Sequence, residues 1–554
     1  RLGRPDIACL ILNRTIGTGI FAQPSNVLFL TGSPAVAIIL WVFGGLIILS
    51  ITLSWLELGL TIPRYYIRSE GAYFSTPRSG GDKNYLEYIY KKPRLFMSCL
   101  FGITFILFGN LAGNAIQFGI YMQTAISPTC TEDDACFNKA AVLGWAVGIL
   151  AFCSFLNVAT RKQFLRLNNG FAVIKMVLVA AVAICGIIYG TAHGDGCRTN
   201  IAWSNRGAGG EFGDIVLATF YGMYSYTGFE QPFYVLAEVE KPKEIFAKYV
   251  LLALASVLIL FPLANVGYFC VVPYQGPASV PRNMALAFFD IIASGGDPTA
   301  DTTATLRGVS LMLAFVIFGT IMAQTFTGSR VKQEIGKEAI VPFSLAIATG
   351  SDSIDARLRA WWAGERKRPT DTNYIEDHPE QVPMAATLLH IIFAALLVIV
   401  VGIPTKPSNA YRILTYLRIF SIIVVLGFLT VAGLAYLKID SWKNGARQQP
   451  GWSPWLDPLP TFLAAAALAF LSIAVFAKPS QIRENEQAVP YWVNPLVGWL
   501  VLLLGILWWA GLRAWQWKTR TRTEVYKWPH AVIDHLGNAV LQAEIIEHRR
   551  RVRH

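Results

Sequence analysis

Charged residues are scarce in this sequence. Only 15% of its 554 residues are Asp, Glu, Lys or Arg, whereas 54% are hydrophobic and the mean hydropathy is +0.44. So little charge excludes a disordered chain and disfavours a soluble domain, in which about a quarter of the residues are charged. The protease motifs HExxH and GxGD are both missing. The sequence therefore predicts no enzyme and no cofactor.

The hydrophobic residues gather in long stretches that are typical of membrane spans. A window of about twenty residues that avoids charge is the length of a transmembrane helix. Twelve such windows occur, at about 8–31, 34–62, 95–126, 139–157, 167–190, 212–238, 248–272, 307–330, 384–403, 410–437, 460–477 and 492–513. The fold class predicted is an all-α polytopic membrane protein with 12 transmembrane helices.

Basic residues alternate from loop to loop. The connection from Arg64 to Arg94 carries seven basic and three acidic residues, whereas the loop SPTCTEDDACFNK carries three acidic residues and one basic residue. Basic residues return in TRKQFLR, EVEKPKEIFAK, LKIDSWKNGAR and the C-terminal segment. The positive-inside rule places these loops and both termini in the cytoplasm. The net charge of +12 is therefore explained by basic loops on the cytoplasmic side of a membrane. The predicted partner is a lipid bilayer, and no nucleic acid is predicted.

The interruptions of the spans divide the chain unevenly. The first ten spans hold nearly all the glycine and polar interruptions, whereas the last two are plain apolar helices. The predicted units are a ten-helix core (1–437, with helices 1–5 at about 7–190 and helices 6–10 at about 212–437), a cytoplasmic insert at about 344–381, two peripheral helices (438–513) and a basic cytoplasmic tail (514–554).

Two segments outside the spans have helical patterns. DARLRAWWAGERKRP in the insert would form an amphipathic helix on anionic lipid, with a solvated loop as the alternative. The tail has a helical pattern from Ala531 to Ile546, which predicts a helix docked on the cytoplasmic face.

Two spans contain glycine where a helix should continue. Span one reads NRTIGTGIF, and span six, five helices later, reads FYGMYSYTGF. Interrupted helices at corresponding positions of two five-helix halves indicate an inverted-repeat transporter of the LeuT-like 5+5 type. Free amides after a break attract a carboxylate and free carbonyls before it attract an ammonium, so the two breaks predict an amino acid site.

The same residues resemble a known family. IGTGIF, WLELGLTIP, FYGMYSYTGF with AEVEKP, and FGTIMAQTFTGSRVKQEIGKEAIVP are similar to the amino acid-polyamine-organocation (APC) superfamily, in its L-type amino acid transporter branch. The long connection after span two and the insert are more similar to fungal members, including the methionine permease group. The resemblance implies a plasma-membrane transporter for neutral, medium to large apolar amino acids, with a vacuolar location as the alternative.

The resemblance also implies the substrate contacts. The substrate carboxylate is expected on the Thr18 hydroxyl and on the amides of Thr18, Gly19 and Ile20. The ammonium is expected on carbonyls from both broken spans, those of Thr15, Ile16, Tyr224, Ser225 and Thr227, with Tyr224 as an aromatic gate. The side-chain pocket is expected to be walled by Gly109, Gly113, Gly319 and Thr320, and to be narrowed or polarised by Asn110 and Asn114.

Glu230 departs from the family pattern, in which a neutral polar residue is common. A carboxylate there would be protonated, carry a proton or favour a cationic substrate. A permease or exchanger for cationic amino acids or polyamines is therefore the alternative transport function, and a nutrient receptor that does not transport is the alternative outside transport.

Lys175 lies about nine residues into span five, and an ionisable residue at that depth indicates a functional site. In the family, the matching lysine can occupy the place of a sodium ion, which implies proton coupling. A fixed ammonium that bridges span one to span eight is the structural alternative.

Cys130 lies about where mammalian members of the family bond to a single-span glycoprotein. Cys136 offers an internal partner, although both thiols could be free. We therefore expect no obligatory heavy-chain partner.

Overall fold

The structure is a computed structural model that describes residues 1–67, 71–130, 132, 134, 136–193, 196–203, 209–297, 299–362, 374–379, 381–444, 452–481, 490–533 and 539–552. These residues are mostly helical, with two small β-sheets. The α-helices, in chain order, are α1 (Arg4–Thr15), α2 (Thr18–Thr31), α3 (Pro34–Thr61), α4 (Asp82–Ile89), α5 (Phe96–Phe108), α6 (Ala112–Ile126), α7 (Lys139–Ala159), α8 (Arg161–Ala192), α9 (Gly196–Ile201), α10 (Phe212–Ser225), α11 (Gln231–Tyr234), α12 (Pro242–Val271), α13 (Met284–Ser294), α14 (Thr303–Gly336), α15 (Ser344–Ala348), α16 (Ile354–Trp362), α17 (Met384–Gly402), α18 (Pro407–Arg418), α19 (Gly427–Asn444), α20 (Leu459–Ala474) and α21 (Val493–Lys518).

Nine helices in the described ranges are long and apolar enough to cross a membrane, by length and composition. They are α3, α5 continued by α6, α7, α8, α12, α14, α17, α18 continued by α19, and α21. The windows 8–31, 212–238 and 460–477 instead hold shorter helices: α1 with α2, α10 with α11, and α20. This chain is an integral membrane protein with many helical spans.

The spans predicted to be broken are broken in the structure. In span one, α1 ends at Thr15 and α2 begins at Thr18. In span six, α10 ends at Ser225 and α11 begins only at Gln231, with Gly228 between them at φ +139°. Such a φ is costly for any residue with a Cβ, which explains the glycine at this position.

Span three is also interrupted, which the sequence analysis missed. The helix stops after Phe108 and restarts at Ala112. The Asn110 side chain holds both ends of this break, because its Oδ1 accepts from the Ala112 amide at 3.1 Å and its Nδ2 donates to the Leu107 carbonyl at 2.7 Å. Span ten changes to a π-helix over Ile419–Leu426, directly after α18. Such π-helical turns are frequent at functional sites.

The prediction of a helix in the C-terminal tail is wrong. Two strands, β4 (Thr521–Ile533) and β5 (Ala539–Val552), form an antiparallel hairpin there. A strand of the insert, β3 (Tyr374–Asp377), pairs with β5 and completes a three-stranded sheet. A second sheet has two strands, β1 (Arg64–Ile67) and β2 (Ala72–Ser75). Both strands precede β3, β4 and β5 in the chain.

The insert does contain a helix, α16, so the loop alternative is wrong for residues 354–362. Trp361 and Trp362 at its end are largely exposed. The rest of the predicted amphipathic segment, residues 363–369, lies outside the described residues.

The hairpin is held against the helices by buried ion pairs. Glu544 of β5 accepts from Arg78 at 2.6 Å and from Lys337, just after α14, at 3.2 Å. Burial alone would raise the pKa of Glu544, but Arg78 and Lys337 outweigh it and hold the pKa at about 2. Close by, Lys83 pairs with Glu338. We call this side of the molecule the hairpin end.

Two disulfides link cysteines near the opposite end of the bundle. Cys130 is bonded to Cys136, so the alternative of free thiols is wrong. Cys197 is bonded to Cys270, a pairing that the sequence analysis did not predict because Cys270 lies within span seven.

Candidate functional site

The two predicted breaks meet inside the bundle. A Cβ atom placed on Gly19 would lie 2.6 Å from the Cα of Ser225, and one placed on Gly228 would lie 2.8 Å from the amide nitrogen of Thr15. Such distances leave no room for a side chain, so backbone packs on backbone at both contacts. The glycines thus bring the interrupted parts of span one and span six together.

The break in span one exposes backbone donors. Thr18, Gly19 and Ile20 form the first turn of α2, whose N-cap is Gly17, and amides in a first turn have no acceptor within the helix. All of these residues are buried. The first turn of α2 thus presents free donors of the kind from which a carboxylate accepts, and binding of the substrate carboxylate there stays a prediction.

Some of the predicted carbonyl acceptors already receive hydrogen bonds. The Tyr224 carbonyl accepts from the Thr227 amide at 3.0 Å and from the Thr227 hydroxyl at 2.7 Å, and the Ile16 carbonyl accepts from the Thr320 hydroxyl at 3.3 Å. A carbonyl oxygen has two lone pairs, so the Ile16 carbonyl keeps capacity for an ammonium, whereas the Tyr224 carbonyl already accepts two hydrogen bonds. Thr15 and Ser225 lie at the contact between the two breaks.

The Thr18 side chain connects three spans. Its Oγ1 lies 2.6 Å from the Tyr224 hydroxyl and accepts from Asn114 Nδ2 at 3.1 Å. Thr18, Asn114 and Tyr224 are each at most 3% exposed. This link ties the break in span one to span three and span six, beside the amides that would hold a carboxylate.

Lys175 bridges span five to span one and span eight. Its Nζ donates to the Asn13 carbonyl at 2.6 Å and to the Thr320 hydroxyl at 2.9 Å, and the side chain is fully buried. The one hydroxyl proton of Thr320 can in turn be donated to either of two span-one carbonyls near the break, that of Asn13 at 3.2 Å or that of Ile16 at 3.3 Å. The Lys175 Nζ therefore lies among carbonyl and hydroxyl oxygens of span one and span eight.

Glu230 is paired within the protein. Its Oε1 accepts from Arg418 Nη2 of span ten at 3.1 Å, and its Oε2 accepts from the Gly228 amide at 2.7 Å. Gln324 of span eight also accepts from Arg418, at 3.3 Å. The sequence offered no signal for the Glu230–Arg418 pair, because the two residues are 188 positions apart.

The residues predicted to wall the side-chain pocket are not all brought together. Gly109 and Gly113 lie at the break in span three, where a Cβ on Gly113 would lie 2.8 Å from Thr415 Oγ1. Gly319, in contrast, packs against Asn13 and Phe171, and its neighbour Thr320 faces Gly17. The predicted set thus divides into a group at span three and a group between spans one, five and eight.

Comparisons with known proteins find amino acid transporters. Residues 2–502 match the family described as amino acid permease. The high-affinity methionine permease of Saccharomyces cerevisiae is 25% identical over 576 residues, covering 99% of this chain and 88% of that protein. The low-affinity methionine permease of the same yeast is 23% identical, covering 62% of this chain and 59% of that protein. The large neutral amino acids transporter small subunit 2 of Oryctolagus cuniculus is 27% identical, covering 61% of this chain and 58% of that protein.

Proposed function

Since this chain belongs to the amino acid permease family, we propose that it takes up neutral, medium to large apolar amino acids such as methionine by proton-coupled alternating access. Family membership makes it a transporter and not an enzyme. The proposed architecture is twelve spans, with an inverted repeat of five plus five helices and two peripheral helices. In this proposal the protein lies in the plasma membrane with both termini in the cytoplasm.

The observation that carries the proposal is the contact between the two broken spans. Gly19 at the start of α2 lies against Ser225 at the end of α10, and Thr15 at the end of α1 lies against Gly228. A zwitterion supplies one anionic and one cationic group to such a contact, whereas a purely hydrophobic solute supplies neither. In this proposal Thr18, Gly19 and Ile20 bind the carboxylate, and carbonyls of both breaks bind the ammonium.

Two findings favour a neutral substrate. Two relatives are named methionine permeases and one is named a large neutral amino acids transporter. In addition, the carboxylate oxygens of Glu230 already accept from Arg418 and Gly228, so Glu230 is a poor counter-ion for a cationic substrate. The permease for cationic amino acids or polyamines is therefore the weaker alternative.

Proton coupling rests on Lys175 in this proposal. Its neighbours are oxygens of span one and span eight, and relative movement of these spans would change the stabilisation of the ammonium. The ammonium would then lose and regain a proton as access alternates.

Purified protein in liposomes tests the proposal. We expect labelled methionine to accumulate above its external concentration when an inward proton gradient is imposed. Lys175→Met should abolish this accumulation, whereas Lys162→Met, at an exposed position in the first turn of the same helix, should leave it unchanged. Binding without accumulation would indicate a receptor, and accumulation by Lys175→Met that still follows the proton gradient would refute the role of Lys175.

We also propose that the transporter works without a heavy-chain glycoprotein. Cys130 lies about where the resemblance implies a disulfide to the glycoprotein, but it is bonded to Cys136 within the chain. On non-reducing gels of native membranes the protein should migrate as a single band at the mass of the chain. A band shifted by the mass of a partner would contradict this proposal.

A further inference from the structure

A small cavity lies at the break in span three. Its volume is about 10 Å³, which is about the space of one water molecule. Its polar lining residues are Asn110, Asn114, Thr415 and Arg418. Asn114 also donates to Thr18, at 3.1 Å, so the cavity adjoins the proposed amino acid site.

Two polar side chains of the cavity lining have atoms without a hydrogen-bond partner in the described part of the chain. Arg418 is only 4% exposed, and its Nε and Nη1 have no acceptor there, although its Nη2 bonds to Glu230 and Gln324. The Thr415 hydroxyl, which also lines the cavity, has no partner either. Buried donors that lack acceptors are unfavourable, so this cavity is matched to a group that accepts hydrogen bonds.

The charged residues near the cavity also favour a group that accepts hydrogen bonds. Arg14 of span one is also buried, its Nε and Nη2 have no partner in the described ranges, and it interacts electrostatically with both Glu230 and Arg418. Two buried guanidinium groups thus interact with the one carboxylate of Glu230, and Arg418 is the one bonded to it. The surplus of positive charge favours an electron-rich group in the cavity and disfavours a cationic one.

We infer that the end of the substrate side chain lies against the cavity at the break in span three, where Arg418 and Thr415 select side chains that carry a hydrogen-bond acceptor, such as a thioether sulfur or a carboxamide oxygen, over hydrocarbons of equal length. This inference rests on the proposed function, because it places the zwitterionic part of the substrate at the neighbouring breaks. Arg418 and Thr415 are the residues that determine specificity.

Competition between substrates of equal size tests the inference. Norleucine has the length of methionine but a methylene group in place of the sulfur, and glutamine ends in a carboxamide. In liposomes that take up labelled methionine, we expect half-inhibition by norleucine to need a concentration about tenfold higher than that of unlabelled methionine or of glutamine. Equal inhibition by norleucine would overturn the inference while leaving the proposed function intact. Failure to take up methionine would refute the proposed function, and the inference with it.

Variants of the lining link this selectivity to the cavity. Thr415→Val keeps the shape and removes the hydroxyl, and the double variant Glu230→Gln with Arg418→Met removes the guanidinium without leaving a carboxylate unpaired. In both variants the ratio of the norleucine to the methionine half-inhibitory concentration should fall, about threefold in Thr415→Val and to near one in the double variant. Thr104→Val, whose hydroxyl bonds within its own helix, is the matched control and should keep the ratio.

The two variants also separate selectivity from folding. The double variant exchanges a buried ion pair, so its elution as a monodisperse peak is checked first. If it does not fold, Thr415→Val decides the question alone. A ratio in Thr415→Val equal to that of Thr104→Val would overturn the inference.

Discussion

Replacement of Gly19 by alanine would place a methyl group against the break in span six. The new Cβ would lie 2.6 Å from the Cα and 2.9 Å from the Cβ of Ser225. Carbon atoms in contact normally lie about 3.5–4.0 Å apart, so α2 would have to move away from α10 by about 1 Å. A displacement of about 1 Å at a site built from fixed groups lowers activity by about 100-fold. We therefore expect the uptake rate at low substrate concentration to fall by about that factor.

The assay is initial uptake of labelled methionine into liposomes, together with thermal unfolding of the purified protein. The matched control is Gly148→Ala in α7, where a Cβ would meet no atom within 4 Å. This control should transport like the original chain and unfold at an equal or slightly higher temperature, because alanine favours a helix by about 1 kcal/mol. Uptake by Gly19→Ala within threefold of the control would refute the packing argument for the two breaks.

Two further predictions concern buried ion pairs away from the site. Undocked, Glu544 would titrate near its ordinary pKa of 4.5, but docked between Arg78 and Lys337 its pKa is about 2; the protection from hydrogen exchange that Glu544 gives the hairpin, measured against Glu544→Gln, should therefore be complete above about pH 4.5 and be lost as the pH falls from there towards 2. Loss of this difference between the two chains from pH 7 to pH 6 would contradict the prediction. Lys438 donates to Glu57 at 2.7 Å and is largely buried, so Lys438→Met should lower stability by about 3–5 kcal/mol, seen as an earlier thermal transition, whereas Lys438→Arg should lower it less.

The breaks in spans one and six could be predicted because they are local. Glycine and threonine inside an apolar window lower helix propensity wherever they occur, and this signal needs no knowledge of the tertiary structure. The break in span three was missed although Gly109 and Asn110 gave a similar, weaker signal. Asn110 satisfies backbone groups on both sides of the break, which is a common reason for asparagine at a helix end.

The hairpin was mistaken for a helix because the helical spacing in the tail was not weighed against the strand pattern that precedes it. Residues 531–546 have helical spacing, but Thr521, Thr523 and Val525 place β-branched residues at alternate positions just before them. That alternation favours a strand, and Gly537 next to Asn538 is a frequent turn pair. The strand of the insert that completes the sheet, β3, comes from about 170 residues earlier, beyond the reach of local patterns.

The ionic contacts of the site depend on packing and could not be predicted. Sequence reasoning singled out Lys175 by its depth in the membrane, since ionisable groups there are costly, and Glu230 by its departure from the family pattern. It could not identify Arg418 as the partner of Glu230, because span ten reaches span six only through the folded bundle. It also did not connect Arg14, which lies directly beside the break in span one, with Glu230.

A cryo-EM structure of the protein with saturating methionine would test the central claim most directly. We predict density for one amino acid between the two breaks, with its carboxylate on the amides of Thr18, Gly19 and Ile20 and its ammonium facing the carbonyls at the ends of α1 and α10. Density for the amino acid at another place in the bundle, with the breaks in direct contact as in the structure described above, would contradict the account.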